Sequence, residues 1–411
     1  MNKALQILID RGFVKDFTDA EGLSKLMDEG PVTFYCGTDP TAKSLHIGHI
    51  VPFFAMHHLQ KEGHNPIILV GGGTALIGDP SGKTEMRPIL SKEVIKANAD
   101  NITRQLSRIV SIDTDKPGYG KAVIANNASW LTDLNYIDFL RDIGRYFSVN
   151  RMLTFEGVKQ RLERGLSFIE FNYQLLQSYD FYILNRDYGC RLQIGGADQW
   201  GNIVAGIDLL DRMDAPKGYG LTFNLIMTSD GKKMGKSEKG AVYLDKDMYS
   251  VYDFYQYWRN VQDSDVIKLM KLFTFMELEE IAEYEKPGVN INDAKARLAF
   301  EVTAIIHGRE EAEKAESAAK ALFSSSGSIE GMPSVEVAKD QFEMGVLNLF
   351  TLSGLTSSNG DARRLVVQGG AEINGKKITD PKTMIGLSDA NEDGAFILKA
   401  GKKRYMRVIV K

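Results

Sequence analysis

The residues best able to do chemistry fall in five short constellations. Gly37-Thr38-Asp39-Pro40-Thr41 precedes Leu45-His46-Ile47-Gly48-His49-Ile50, which enters an apolar helical pattern through Phe53, Phe54, Met56 and Leu59. On a helix, His46 and His49 share one face at its N-terminal end, where unpaired N–H groups and the positive dipole pole suit phosphate. Gly48 leaves room for a nucleotide to approach the backbone. Gly71-Gly72-Gly73-Thr74 leads to Gly78-Asp79-Pro80-Ser81-Gly82-Lys83. Its spacing does not match G-x-x-x-x-G-K-[ST], so this is not an ordinary P-loop. Asp79 could hold an ammonium group or a ribose hydroxyl, and Lys83 and Arg87 could close over phosphates.

Tyr173, Gln177 and Asp180 recur at i, i+4 and i+7 on an otherwise apolar helix. Such a polar stripe is costly in a dry core and suits a pocket for a polar ligand. Gly195-Gly196-Ala197-Asp198-Gln199 permits close backbone approach, with Asp198 placed for ribose hydroxyls. Ser229 to Ser237 carries Lys232, Lys233 and Lys236, ammonium groups of the kind that neutralise a departing pyrophosphate. Taken singly, each constellation also has a plainer reading: a coincidental histidine pair, scattered surface charges, a solvent-facing stripe or a solvated turn.

Something must position these groups. Apolar runs at 32–35, 66–70, 122–125, 190–194 and 221–224 alternate with helical patterns, the rhythm of a parallel sheet with crossover helices. Ligands of such sheets bind at the carboxyl ends of the strands, where the strand order reverses. Residues 250–322 read as helical, and Ser324-Ser325-Ser326-Gly327-Ser328 as a flexible linker. The tail predicts helices at 346–353 and 360–368, strands at 371–373 and 407–410, and an Asn374-Gly375 hairpin turn.

Composition is that of an ordinary globular protein: 43% hydrophobic, 25% charged and a mean hydropathy of −0.21. No apolar run approaches the ~20 residues that cross a bilayer, and Asp10 and Arg11 interrupt the start before a signal-peptide core could form. A cytoplasmic protein is expected. Cys36 and Cys190 are too few for a disulfide framework or a thiolate cage. Residues 341–411 hold eleven Lys/Arg against seven Asp/Glu, a net +4 on a chain totalling −4, so the remainder carries −8. A basic end on an acidic body suits a polyanion partner, although a solvated basic face has the same composition.

With His46-Ile47-Gly48-His49 and Lys233-Met234-Gly235-Lys236-Ser237 in this order, the sequence resembles a class I aminoacyl-tRNA synthetase. The segment from Tyr35 to Thr41, Gly78 to Gly82, the helix bearing Tyr173, Gln177 and Asp180, and Gln193 to Trp200 look like bacterial tyrosyl-tRNA synthetases. Residues 346–377 are similar to an S4 RNA-binding domain. The resemblance implies an α/β protein with a Rossmann-like parallel-sheet catalytic domain at 1–228, containing a dimer-interface insertion around 130–160. A lysine signature loop and connection would follow at 229–249, an all-helical anticodon-side domain at 250–322, a flexible linker at 323–340 and a small α+β S4-like domain at 341–411.

The resemblance further implies that L-tyrosine and ATP react to tyrosyl-adenylate and pyrophosphate, and that the tyrosyl group passes to the 3′ end of tRNA(Tyr). Tyr35 and Asp180 would bind the phenolic hydroxyl. Tyr173, Gln177 and Asp79 would hold the ammonium group, with Thr74 lining the pocket and Gln199 near the carboxylate. Gly37, Asp39, His46, His49, Gly195, Asp198, Lys233 and Lys236 would contact ATP. Thr41 and His46 would meet the γ-phosphate in the transition state, and Lys83, Arg87, Lys233 and Lys236 the pyrophosphate, these residues and His49 forming the catalytic set. Arg363, Arg364, Lys376, Lys377, Lys402, Lys403 and Arg404 would face RNA.

Mg²⁺ would arrive with ATP, with no structural metal; a homodimer is implied, with neither membrane nor DNA as partner. Two positions depart from the family pattern. Gly235 stands where the general signature has Ser, and Pro52 where some relatives have a polar residue. A tryptophanyl-tRNA synthetase or a non-catalytic RNA-binding protein derived from a synthetase are the competing readings.

Overall fold

The computed structural model describes the chain except residues 81–89, 114, 164, 230, 232–233, 238–239, 322–332, 340–341, 392–393 and 402–403, and the side chains at 236, 237 and 321. Two compact units are present: Met1–Tyr249 with Trp258–Ile306, and Ser250–Tyr257 with His307–Lys411.

The first unit opens with α1 (Lys3–Asp10), β1 (Val14–Phe17), α2 (Ala20–Glu29) and β2 (Thr33–Thr38). Then come α3 (Val51–Lys61), β3 (Asn65–Val70), α4 (Lys92–Leu106) and β4 (Val123–Asn126). Four short helices follow, α5 (Ala128–Leu131), α6 (Tyr136–Asp142), α7 (Val149–Met152) and α8 (Glu156–Leu162), before the long α9 (Phe168–Tyr188). β5 (Cys190–Gly196), α10 (Trp200–Arg212) and β6 (Tyr219–Phe223) complete the main sheet.

That sheet has the order β1-β6-β5-β2-β3-β4, parallel except for β1, which runs antiparallel to β6. From β2 the chain builds outward first through β3 and β4, then on the other side through β5 and β6, so the order reverses between β2 and β5. All five predicted strands are present within a few residues. β1 has no clear signal in the sequence: Val-Lys-Asp-Phe has two charges in four residues, tolerated because it is an antiparallel edge.

Near-continuous burial along β3 and β6 fits strands covered on both faces. Pro52 falls in the first turn of α3, where its missing N–H has no helical partner to lose. α9 begins with a capping box between Ser167 and Glu170 and ends at the left-handed Gly189. Glu170 also accepts from Arg161, 2.9 Å away, with both side chains almost fully buried. Cys36 and Cys190 are free and buried.

Beyond the main sheet lie a short pair, β7 (Lys236–Ser237) and β8 (Gly240–Ala241), and the helices α11 (Val251–Arg259), α12 (Val266–Phe273), α13 (Leu278–Glu283), α14 (Ile291–His307) and α15 (Arg309–Ala321). The tail contains β9 (Ser334–Val337), β10 (Met344–Gly345), α16 (Val346–Leu352), α17 (Asn359–Val367), β11 (Ala371–Ile373), β12 (Lys376–Ile378), β13 (Met384–Ile385), β14 (Ala395–Ala400) and β15 (Arg404–Val410). Its five-stranded sheet, β12-β11-β14-β15-β9, covers a core that includes Phe342, Leu349, Phe350, Phe396 and Val408. Asn374 and Gly375 take φ of 50° and 77° between β11 and β12, as a type I′ hairpin requires. β9 lies inside the stretch expected as linker and pairs in parallel with β15.

Arg161→Ala should lower stability by about 3–5 kcal/mol, because the Glu170 carboxylate is left buried without its partner. Urea unfolding of the variant against the wild type checks this.

Candidate active site

The reversal of strand order brings together the ends of β2, β3, β4 and β5, and most of the expected tyrosine-pocket residues gather there. Tyr35 is 1% exposed on β2, its ring 5.3 Å from Phe181. Its hydroxyl is buried with no hydrogen-bond partner among the described residues. Asp180 of α9 is 2% exposed. Each of its oxygens accepts one bond, from Asn127 Nδ2 at 2.9 Å and from Trp130 Nε1 at 2.7 Å. Burial still pushes its carboxyl up to about 7 against those bonds. Burial, reinforced by Asp180, raises the Tyr35 phenol well above its ordinary range.

Asn127 extends this network. Its Nδ2 also donates to Thr74 Oγ1 at 2.9 Å, and its Oδ1 accepts from Gly73 N–H at 2.8 Å. Thr74 donates onward to Asp39 Oδ1 at 2.7 Å, and Tyr173 O–H donates to Asp39 Oδ2 at 3.0 Å. Only glycine fits at position 71, since a Cβ there would lie 2.0 Å from Asp39 Oδ1. A second chain runs beside the first. Gln177 Nε2 and Asn202 Nδ2 donate to Gln199 Oε1, at 3.3 and 3.1 Å, and Gln199 Nε2 donates to Asp79 Oδ2 at 2.8 Å.

Asn127 and Trp130 belong to none of the five constellations. The signal available for them is position: Asn126-Asn127 directly follows the predicted strand at 122–125, at the carboxyl end where ligands bind. Asp39, expected at the nucleotide, is bonded here to two residues expected at the amino acid.

The histidine signature differs from the expected helix N-terminus. His46 is extended, with φ −117° and ψ 165°, and caps a single 3₁₀ turn, Ile47–His49, ahead of α3. The cause is pairing: His46 bridges antiparallel to Tyr243, Ile47 N–H donates to Val242 O at 3.1 Å, and Leu244 N–H donates to Leu45 O at 2.9 Å. His46 Nδ1 accepts from Gly48 N–H at 3.1 Å, and the two imidazoles stack with centroids 3.6 Å apart.

The two signatures thus meet through backbone. Gly235 has φ +103°, and a Cβ there would stand 3.2 Å from Gly48 N. That tight approach and left-handed backbone account for glycine where the general pattern has serine. Gly37, at the end of β2, and Asp198, on the 3₁₀ turn Ala197–Gln199, are exposed, while Gly195 is buried against Gln199. Thr41 follows Asp39 in a tight turn, its N–H donating to Asp39 O at 2.8 Å. Lys83, Arg87, Lys233, Lys402 and Lys403 lie outside the described residues, as does the side chain of Lys236.

On the tail, Arg363 and Arg364 are exposed on α17, Arg364 pairing with Asp361 at 2.7 Å. Lys376 and Lys377 are exposed on β12, and exposed Arg404 donates to Leu355 O at 3.0 Å. Among the described residues no group of three or more His, Cys, Asp or Glu is arranged to hold a metal ion, and no helix is long and apolar enough to cross a membrane.

A switch-point crevice holding a buried carboxylate, with a histidine turn locked to a lysine-bearing segment, matches a known family. The family model for class I tRNA synthetases (W and Y) matches residues 27–324, and that for the tyrosine–tRNA ligase SYY-like C-terminal domain matches 325–408. The chain is 55% identical over 411 residues to the tyrosine–tRNA ligase of Treponema denticola, covering all of both chains. It is 51% identical to that of Acetivibrio thermocellus over 99% of each. Among solved structures, a C-terminally truncated mitochondrial tyrosyl-tRNA synthetase from Aspergillus nidulans superposes with a TM-score of 0.69 at 31% identity, covering 78% of this chain and 94% of that one. The chain belongs to the class I tRNA synthetases of the tryptophan and tyrosine type and, within them, to the tyrosine–tRNA ligase family.

Two outcomes follow from the buried pair. Tyr35→Phe removes a desolvated hydroxyl that has no partner among the described residues, so its unfolding midpoint should not fall; scanning calorimetry of variant and wild type checks this. Asp180 keeps its proton up to about 7 when folded, but sheds it near its ordinary 3.8 when unfolded. The folded state therefore binds more protons between these values, and this contribution to stability is lost as pH rises through them. Between pH 5 and pH 8 the wild type should lose stability relative to Asp180→Asn, measured by urea midpoints at both pH values.

Proposed function

We propose that this chain is a tyrosine–tRNA ligase that activates L-tyrosine with ATP and then charges tRNA(Tyr). The observation that carries this reading is the pair Tyr35 and Asp180, both buried in the crevice, one a hydroxyl with no hydrogen-bond partner among the described residues and the other a carboxyl group whose charge bears on it. A phenolic hydroxyl inserted between them completes the set, donating to Asp180 and accepting from Tyr35. Phenylalanine would leave the Tyr35 hydroxyl without a partner and the buried Asp180 with only its bonds from Asn127 and Trp130. Sites built to bond a substrate hydroxyl reject the analogue lacking it by on the order of 10⁴–10⁵, and tyrosyl-tRNA synthetases are themselves the type example.

The ammonium group of tyrosine would lie among Tyr173, Gln177 and Asp79, with Thr74 lining the pocket and Gln199 near the carboxylate. ATP, carrying Mg²⁺, would lie along Gly37, Asp39, His46, His49, Gly195 and Asp198. The tyrosine carboxylate oxygen bonds to the α-phosphorus as the bond to the β-phosphate oxygen breaks, and pyrophosphate leaves. Thr41 and the His46/His49 turn would stabilise the charge that shifts onto the leaving group, together with Lys83, Arg87, Lys233 and Lys236. The terminal hydroxyl of tRNA then attacks the acyl carbon, and AMP departs. Positioning and charge stabilisation carry the rate, with no covalent intermediate on the protein.

The tail, with Arg363, Arg364, Lys376, Lys377, Lys402, Lys403 and Arg404, would contact tRNA. A homodimer would form through 130–160, a reading supported by apolar side chains exposed there, among them Tyr136 and Ile137 at 56% and 68%. Residence in the cytoplasm accords with this role.

Tyrosine should stimulate ATP–pyrophosphate exchange, whereas tryptophan and phenylalanine should not. Stimulation by tryptophan alone, or no exchange with tyrosine, would overturn the assignment.

A further inference from the structure

The inward face of α4 carries two polar side chains to which the proposed reaction assigns no role. Ile95, Ala99, Ile102 and Leu106 are buried there, as the helical period requires. Asn98 lies among them at 7% exposure, and Gln105 stands seven residues further on, two turns along the same side. A polar group on such a face is costly unless bonded, and these bonds go to one short stretch of chain. Asn98 Nδ2 donates to Pro40 O at 3.0 Å. Gln105 Oε1 accepts from Leu45 N–H at 3.0 Å, while its Nε2 donates to Ser44 Oγ at 3.0 Å.

Pro40 and Leu45 bracket Thr41, and Leu45 directly precedes His46. Seven residues of helix rise about 10 Å, so the loop is held at both ends across that span. Ser44, 2% exposed, ties in a third segment. Its Oγ donates to Leu45 O at 2.7 Å and accepts from Asp245 N–H at 3.1 Å. With the bond from Gln105, one donor and two acceptor sites are all filled. Asp245 follows the strand-like stretch that pairs with His46, and its carboxylate lies 3.5 Å from Lys43 Nζ.

We propose that Asn98 and Gln105 are positioning residues for adenylate formation. α4 clamps the 40–45 loop at two points and, through Ser44, registers the segment after the lysine signature against the histidine turn. This rests on the tyrosine–tRNA ligase reading, in which Thr41 and His46 act on the γ-phosphate. Groups that act mainly in the transition state lose rate rather than ground-state affinity when displaced, and a shift near 1 Å can cost about 100-fold.

Asn98→Leu and Gln105→Met keep side-chain volume and remove these bonds. In each, kcat for tyrosine-dependent ATP–pyrophosphate exchange should fall at least about tenfold, with tyrosine Kd and KM for ATP within about twofold. Gln105→Glu, which keeps the acceptor for Leu45 N–H, should recover part of the loss. Ser44→Ala combined with Gln105→Met should cost less than the product of the single losses, the mark of groups acting as one unit. Lys96→Ala, on the exposed side of α4, should leave exchange unchanged. Folded variants with unchanged kcat, or with tyrosine affinity lost in equal measure, overturn the proposal. Should Asn98→Leu or Gln105→Met not fold, Gln105→Glu and Ser44→Ala carry the same test, and unchanged kcat in both overturns it. Absence of exchange in the wild type would instead sink the ligase reading itself.

Discussion

A carboxylate taken out of water must be held by its surroundings, and the crevice is organised by how Asp180 meets that demand. Two neutral donors, Asn127 Nδ2 and Trp130 Nε1, reach its oxygens, yet burial keeps its proton affinity high. Asn127 cannot serve Asp180 alone. The same amide fixes Thr74 and Gly73, Thr74 reaches Asp39, and Asp39 receives Tyr173 from α9 again. The environment of one buried charge thereby joins the ends of β2, β3 and β4 to α9. A change at any member leaves another desolvated, which costs more than the bond removed.

The opposite end of the crevice is built on another plan. There the backbone does most of the fastening: Leu45, Ile47 and His46 pair with Val242, Tyr243 and Leu244, and Gly235 closes on Gly48. Side chains able to meet an anion are mounted on these turns rather than sunk in the core, and His49 remains exposed. A triphosphate is large, strongly charged and arrives hydrated, so its contacts must be open to approach. A phenol is small and mostly apolar, and its single polar atom is best read in a dry pocket.

Much of this is legible in the sequence because it obeys local rules. Apolar runs mark the strands, Asn374-Gly375 marks the tail hairpin, and helical spacing marks the polar stripe of α9. What escapes does so for identifiable reasons. β1 has the composition of a surface loop and becomes a strand only because β6 offers an edge. The histidine turn reads as a helix start because residue spacing alone cannot reveal that residues 242–244, far along the chain, hold His46 extended. Asn127 and Gln105 carry no motif. Their importance lies in partners 53 and 60 residues away, and amides at such positions look like ordinary polar residues until the fold closes around them.

The two plans divide recognition from rate. On the proposed reading, the hydrogen-bonded groups around Asp180 at the amino-acid end are in place before any substrate arrives, and their discrimination would be present in the ground state. Groups at the proposed phosphate end would contribute where charge develops, so their value would depend on where they stand when the bond from the α-phosphorus to the leaving oxygen breaks. A loop carrying such groups gains from a rigid support outside the reaction. α4 suits that role, because it is anchored by its own apolar stripe and touches the loop through the amides of Asn98 and Gln105. On the proposed reading, a helix outside the reaction places the reacting groups, while Asp39, bonded to both Thr74 and Tyr173, is the point at which the two ends of the crevice remain joined.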